Sequence, residues 1–116
     1  NRDYFRSILP PEKLDWATGE TGKFIATARA GRSVLAIARA GTAPSTGACI
    51  ITLRWESAAQ GLTTIGTVRI PNGQRFGQSG EAQIGASLPA GAWVQAQVST
   101  ANGASNVSVS LVLEKG

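Results

Sequence analysis

From Phe24 onward, apolar and polar residues alternate in short runs, the period-two signature of strands buried on one face. The runs are FIATARA (24–30), SVLAIARA (33–40), ACIITLRWE (48–56), TTIGTVRI (63–70), EAQIGAS (81–87), AWVQAQVST (92–100) and NVSVSLVLE (106–114). GR, GTAPSTG, SAAQGL, PNGQRFGQSG, LPAG and ANGAS separate them, and each break carries a glycine that turns easily. Short strands broken this often predict an all-β fold. The expected architecture is an antiparallel β-sandwich, jelly-roll-like, with about seven to eight strands over residues 24–116.

The alternation also assigns faces. Cys49, Ile51, Leu53 and Trp55 are expected inside, with Ile50, Thr52, Arg54 and Glu56 outside. Gly66, Val68 and Ile70 oppose Ile65, Thr67 and Arg69, and Val107, Val109, Leu111 and Leu113 oppose Asn106, Ser108 and Ser110. In AWVQAQVST, Val94, Ala96 and Val98 form the core side, while Trp93, Gln95, Gln97 and Ser99 share the other. A tryptophan at the end of an amide row faces water, a sugar or another copy of the chain.

Residues 1–23 have a different character. They hold four of the seven acidic residues and two of the five prolines. Asp3 is expected to cap a helical turn over Tyr4 to Ile8, ended by Pro10 and Pro11. A second turn is expected from Pro11 to Trp16, followed by a TGETG turn. Residues 1–23 are therefore read as an N-terminal arm, anchored on the body or on a neighbouring subunit by Tyr4, Phe5 and Trp16.

Composition narrows the function classes. The chain has 116 residues, the size of one domain, and is 42% hydrophobic with much of that alanine, which predicts a core of small side chains. Charged residues make up 16%, against about 25% in an average soluble protein. Hydroxyls, amides and glycines must cover the surface, which suits secreted, adhesive or assembled proteins. A net charge of +4 raises nucleic acid as a partner. Yet Arg29, Arg39, Arg54 and Arg69 come about one per strand with no basic run, so nucleic acid is disfavoured. No membrane-spanning run is present, and no membrane partner is expected. Cys49 is the only cysteine, which excludes an intrachain disulfide and predicts a buried, inert thiol. Methionine is absent even at position 1, as expected of a processed product or a fragment.

Histidine is absent as well, which excludes imidazole bases, triads and histidine-based zinc sites. GASLPAG has its second glycine misplaced for a nucleophile elbow, and GETGK lacks the rest of a phosphate loop, with Phe24 where the metal-binding hydroxyl belongs. Beyond the arm the carboxylates are Glu56, Glu81 and Glu114. A Glu56–Glu81 acid/base pair is weighed and set below two solvated strand-end carboxylates. No catalytic residue, metal or cofactor is assigned. Trp55 shares a face with Ile51 and Leu53 and belongs to the core. Trp93, Gln95, Gln97, Arg54 and Arg69 are assigned to the contact face. Arg75 and Phe76, in the polar loop 71–80, form a candidate contact tip; the alternative is Phe76 folded back on the sheet edge.

The terminal stretch SLPAGAWVQAQVSTANGASNVSVSLVLEKG resembles the last hairpin of jelly-roll domains in phage virion proteins, such as tail fibres, receptor-binding proteins and head fibres or decorations. That resemblance implies a non-catalytic structural or adhesin module. It would be virion-borne or extracellular and homo-oligomeric, with a trimer favoured, and would contact other virion proteins or a host cell-surface glycan. The alternative is a carbohydrate-binding module of a secreted protein, with Trp93 as the stacking platform.

Overall fold

Strands that bury one face must close over another layer, and here two antiparallel sheets do so. The computed structural model describes residues 4–8, 21–23, 30–57 and 60–115. In chain order the strands are β1 (Tyr4–Ile8), β2 (Thr21–Lys23), β3 (Gly31–Arg39), β4 (Cys49–Ser57), β5 (Gln60–Ile70) and β6 (Phe76–Gly80). A helical turn α1 (Glu81–Ile84) follows, then β7 (Ser87–Leu88), β8 (Trp93–Thr100) and β9 (Ser108–Lys115). One sheet has the order β1-β9-β3-β6, with β7 also on β3; the other has the order β2-β8-β4-β5. The protein is an all-β antiparallel sandwich.

The core is one continuous cluster. Ile51, Leu53, Ile70, Ile84, Leu88, Leu111 and Leu113 are its largest fully buried members, with the small side chains of Ala36, Ala38, Ala92 and Ala96 among them. Burying each large aliphatic side chain contributes about 1.5–3 kcal/mol, and the alanines let the sheets approach closely. Trp55 packs against this cluster, as its strand face requires.

Bulges correct the simple alternation. Between Leu53 and Arg54 the β4–β5 register shifts: Leu53 pairs with Gly66 and Arg54 with Thr64. The extra residue is Ile65. It was expected outside, but it is only 6% exposed and joins the core. A bulge places two residues against one, so an isoleucine can turn inward beside its glycine neighbour. Gly66 is required there, because a Cβ would lie 2.2 Å from the Gln83 carbonyl oxygen. In β3 a second shift falls between Ser33 and Leu35. Ser33 before it and Ala36 and Ala38 after it therefore all point inward.

Three segments differ from the expected elements. Tyr4–Ile8 is a strand paired with β9, not a helical turn. Its aromatic and β-branched residues favour a pleated surface, and the open edge of β9 supplies backbone partners that a one-turn helix lacks. Thr21–Lys23 likewise pairs with β8 where a turn was expected. The run 81–87 is not a strand. Gly80 caps α1, its N–H donating to Gln83 Oε1 at 3.2 Å, and Ile84 alone of the four enters the core. Ser33 then pins the return. Its hydroxyl donates to the Ile84 carbonyl and accepts from Ala86 N–H at 2.8 Å, so β7 resumes along the β3 edge. The expected turn over residues 11–16 with Trp16, and the run 24–29 with Arg29, lie outside the described residues.

Two measurements follow from this packing. Gly66→Ala should destabilise the domain by roughly 3 kcal/mol and lower Tm by more than about 10 °C in a thermal melt, since backbone must move to admit the Cβ. Cys49 is fully buried, and burial pushes its thiol above the ordinary value. A thiol reagent should leave the native domain unlabelled and react once denaturant opens it; fast native labelling would contradict the burial.

Candidate functional site

The outer face of the β2-β8-β4-β5 sheet carries most of the residues expected to bind. Register places Glu56 beside Trp93, Arg54 beside Gln95, and Thr52 beside Gln97. The LPAG turn sets the start of this row. Ala92 N–H donates to the Pro89 carbonyl at 3.2 Å, and Gly91 takes φ +81°, a conformation glycine adopts without strain. The chain then enters β8 with Val94, Ala96 and Val98 buried and Trp93 about half exposed, at 49%.

The middle of this face is bonded to itself. Arg54 Nη1 donates to Gln97 Oε1 at 2.7 Å, and the Thr52 and Ser99 hydroxyls meet at 2.6 Å. Gln95 is on the outer face but only 7% exposed. Its place is in an interior strand, with β4 on one side and Lys23 of β2 in register on the other. Gln95 is thus covered within the face, while Trp93 projects from its end.

Leu62 was not anticipated. It lay in a segment taken as a break, yet β5 extends back to Gln60. Leu62 is two residues before Thr64, which faces Arg54, so it shares the outer face. It is 51% exposed. Trp93 pairs with Glu56 on one side of β4, and Leu62 falls at the register shift opposite Glu56 on the other, so both exposed apolar side chains lie toward the same end of the sheet. Simple alternation of TTIGTVRI carried upstream would have put Leu62 on the core side with Gly66 and Val68; the bulge at Ile65 reverses the parity, so the sequence pattern did not reveal it.

Arg69 does not join this group. It pairs with Ile50, four residues along β4 from Arg54, or about 13 Å. It lines a shallow cleft with Phe76, Gln78 and Gln83 instead. Arg75 and Phe76 line a second cleft with Arg39 and Asn106. Phe76 is not at a loop tip. It opens β6, pairs with Arg39, and is 45% exposed, with the Arg39 guanidinium 5.8 Å from its ring centre. The expected binding residues thus fall on two surfaces, one at Trp93 and one at Phe76. Tyr4 and Phe5 contribute backbone to β1, and Trp16 lies outside the described residues.

The carboxylates do not form an acid/base pair. Glu56 is on the outer face of one sheet. Glu81 sits on α1, where Arg32 Nε donates to its Oε2 at 2.7 Å.

No family model matches the sequence, and no curated protein matches it. Solved structures do match the fold. CsCBM6-3 of Clostridium stercorarium, determined in complex with cellobiose, is 13% identical with a TM-score of 0.55, covering 97% of this chain and 86% of that one. A β-1,3-glucan-binding CBM6 of Bacillus halodurans is 14% identical with a TM-score of 0.50, at the same coverage of both chains. These likenesses establish the β-sandwich architecture.

The Arg32–Glu81 pair is open to solvent on both sides. Glu81→Gln should therefore change stability by less than about 1 kcal/mol in a denaturant titration. A larger loss would show that this pair, rather than Ser33, holds α1 in place.

Proposed function

We propose that this domain is a non-catalytic carbohydrate-binding module that takes a neutral glycan against Trp93. The observation carrying the reading is a half-exposed indole at the end of a sheet whose neighbouring positions are hydroxyls, amides and one carboxylate, with exposed Leu62 toward the same end. An aromatic face covers the apolar C–H face of a sugar ring, and surrounding polar groups bond its hydroxyls. The Arg54–Gln97 bond keeps the floor of the site rigid, so little side-chain entropy is lost on binding. The reading is supported by the fold it shares with two modules whose ligands are cellobiose and a β-1,3-glucan. The phage-particle role implied by the terminal hairpin has no such support.

A second reading is favoured by the same two side chains. Exposed Trp93 and Leu62 at one sheet end also suit a contact between copies of the chain. Titration with cello- and laminari-oligosaccharides should shift tryptophan emission, and Trp93→Ala should weaken binding by more than about tenfold with Tm unchanged. Light scattering separates the readings. A monomer that binds glycan supports the first, whereas an oligomer that Trp93→Ala dissociates, with no glycan response, supports the second.

A further inference from the structure

The arginines are spaced along the sequence, but the fold gathers three of them around one ring. Arg39 ends β3, Arg69 lies near the end of β5, and Arg75 immediately precedes β6. Phe76 separates two open clefts of about 490 and 510 Å³. Arg39 and Arg75 line the first, and Arg69 lines the second. Among the described residues the ion pair found is Arg32–Glu81, and no carboxylate engages Arg39, Arg69 or Arg75. Three unneutralised cations beside an exposed aromatic ring repel one another, so an anionic ligand would be favoured there.

The corner is also rigid. Arg75 Nε donates to the Ala40 carbonyl at 3.2 Å, and Ala40 N–H donates to the Arg75 carbonyl at 3.0 Å. Gly73 N–H donates to the Pro44 carbonyl at 2.8 Å, and Gly41 N–H to Ser105 at 2.9 Å. These bonds tie together the turns carrying the cluster. With Nε occupied, Arg75 still has its terminal nitrogens to offer an acid group. Gly77 lets β6 lie directly on β5, since a Cβ there would sit 2.0 Å from the Arg69 carbonyl oxygen. That approach brings Arg69 next to Phe76.

We propose that the Phe76 corner is a second glycan subsite, selective for sugars bearing a carboxylate or sulfate. The guanidiniums take the acid groups and the Phe76 ring takes a sugar face. Asn106 in one cleft, and Gln78 and Gln83 in the other, supply amides for hydroxyls. A polynucleotide suits the corner less well. The cations form a cluster rather than a track, and a single aromatic gives no series of stacking platforms. This inference rests on the carbohydrate-binding reading but uses a different surface from Trp93.

Calorimetric titration of the whole domain tests it with three oligosaccharides of equal length: a galacturonate, a sulfated glucan and a neutral cello-oligosaccharide. One or both acidic sugars should bind, more weakly as salt rises, and the stronger identifies the acid group. Arg39→Gln and Phe76→Ala should each weaken that binding about tenfold or more and leave the cello-oligosaccharide unaffected. Both positions are exposed, so Tm should not move. Acidic sugars binding no more tightly than the neutral one would overturn the proposal. So would loss of acidic-sugar binding in Trp93→Ala but not in Arg39→Gln, or equal affinity for a single-stranded oligonucleotide of matched charge. If the neutral sugar alone binds, the corner fails and the carbohydrate reading stands; if none binds, both fail.

Discussion

Close approach of two pleated faces across a thin layer of small side chains is the constraint on which the rest of this domain depends. Alanines at positions 36, 38, 92 and 96 bring little apolar area each, so the seam tolerates no misplaced polar group and few voids. Among the described residues, no buried side-chain nitrogen or oxygen lacks a hydrogen-bond partner. Ser33 shows how this is met. The buried hydroxyl donates to the Ile84 carbonyl and accepts from the Ala86 amide, while the Ser33 N–H donates to the Ala86 carbonyl at 2.8 Å. The same atoms that satisfy the serine hold the α1–β7 return against the edge of β3. A polar residue in the core thereby fixes the shape of a surface element.

Much of this was legible in the pattern of residues, and the failures have identifiable physical causes. Strands β3, β4, β5, β8 and β9 follow strong alternation, and the outward placement of Trp93, Arg54 and Gln97 came directly from it. β6 was hidden because its inward positions are Gly77 and Ser79. Close contact with β5 leaves no room for a larger side chain at Gly77, so the apolar signal of a strand is absent where packing is tightest. Ile65 was misplaced because a bulge adds a residue without marking the sequence, apart from the glycine beside it. β1 and β2 are short and take their stability from partners distant in sequence, β9 and β8. No local window contains that information.

The two candidate surfaces differ in how their polar groups are employed. At the centre of the Trp93 face, hydroxyls, a guanidinium and an amide bond one another. Such a network presents a stiff floor with few strong unsatisfied donors, which suits a neutral ligand held mainly by ring contact. At the Phe76 corner, one guanidinium nitrogen bonds a backbone carbonyl, and the like charges otherwise stand together. There the electrostatic field is the dominant feature. Because the corner is exposed, its pull on an anion falls as ionic strength rises.

Sequence spacing alone made the positive charges look diffuse, and that inference was sound for a chain laid out as independent strands. It fails at the β5–β6 connection. The chain leaves the end of one sheet at Ile70, turns through Pro71 to Arg75, and joins the other sheet at Phe76. Such a crossing superimposes the ends of three strands, each carrying an arginine near its terminus. Charge clustering there follows from topology, because strand ends are where long cations reach solvent without crossing the core. If the cluster served only solubility, dispersal would serve as well and without the strain of like charges. Its concentration at a preorganised corner, around the half-exposed Phe76 ring, is what the proposed anionic ligand would offset.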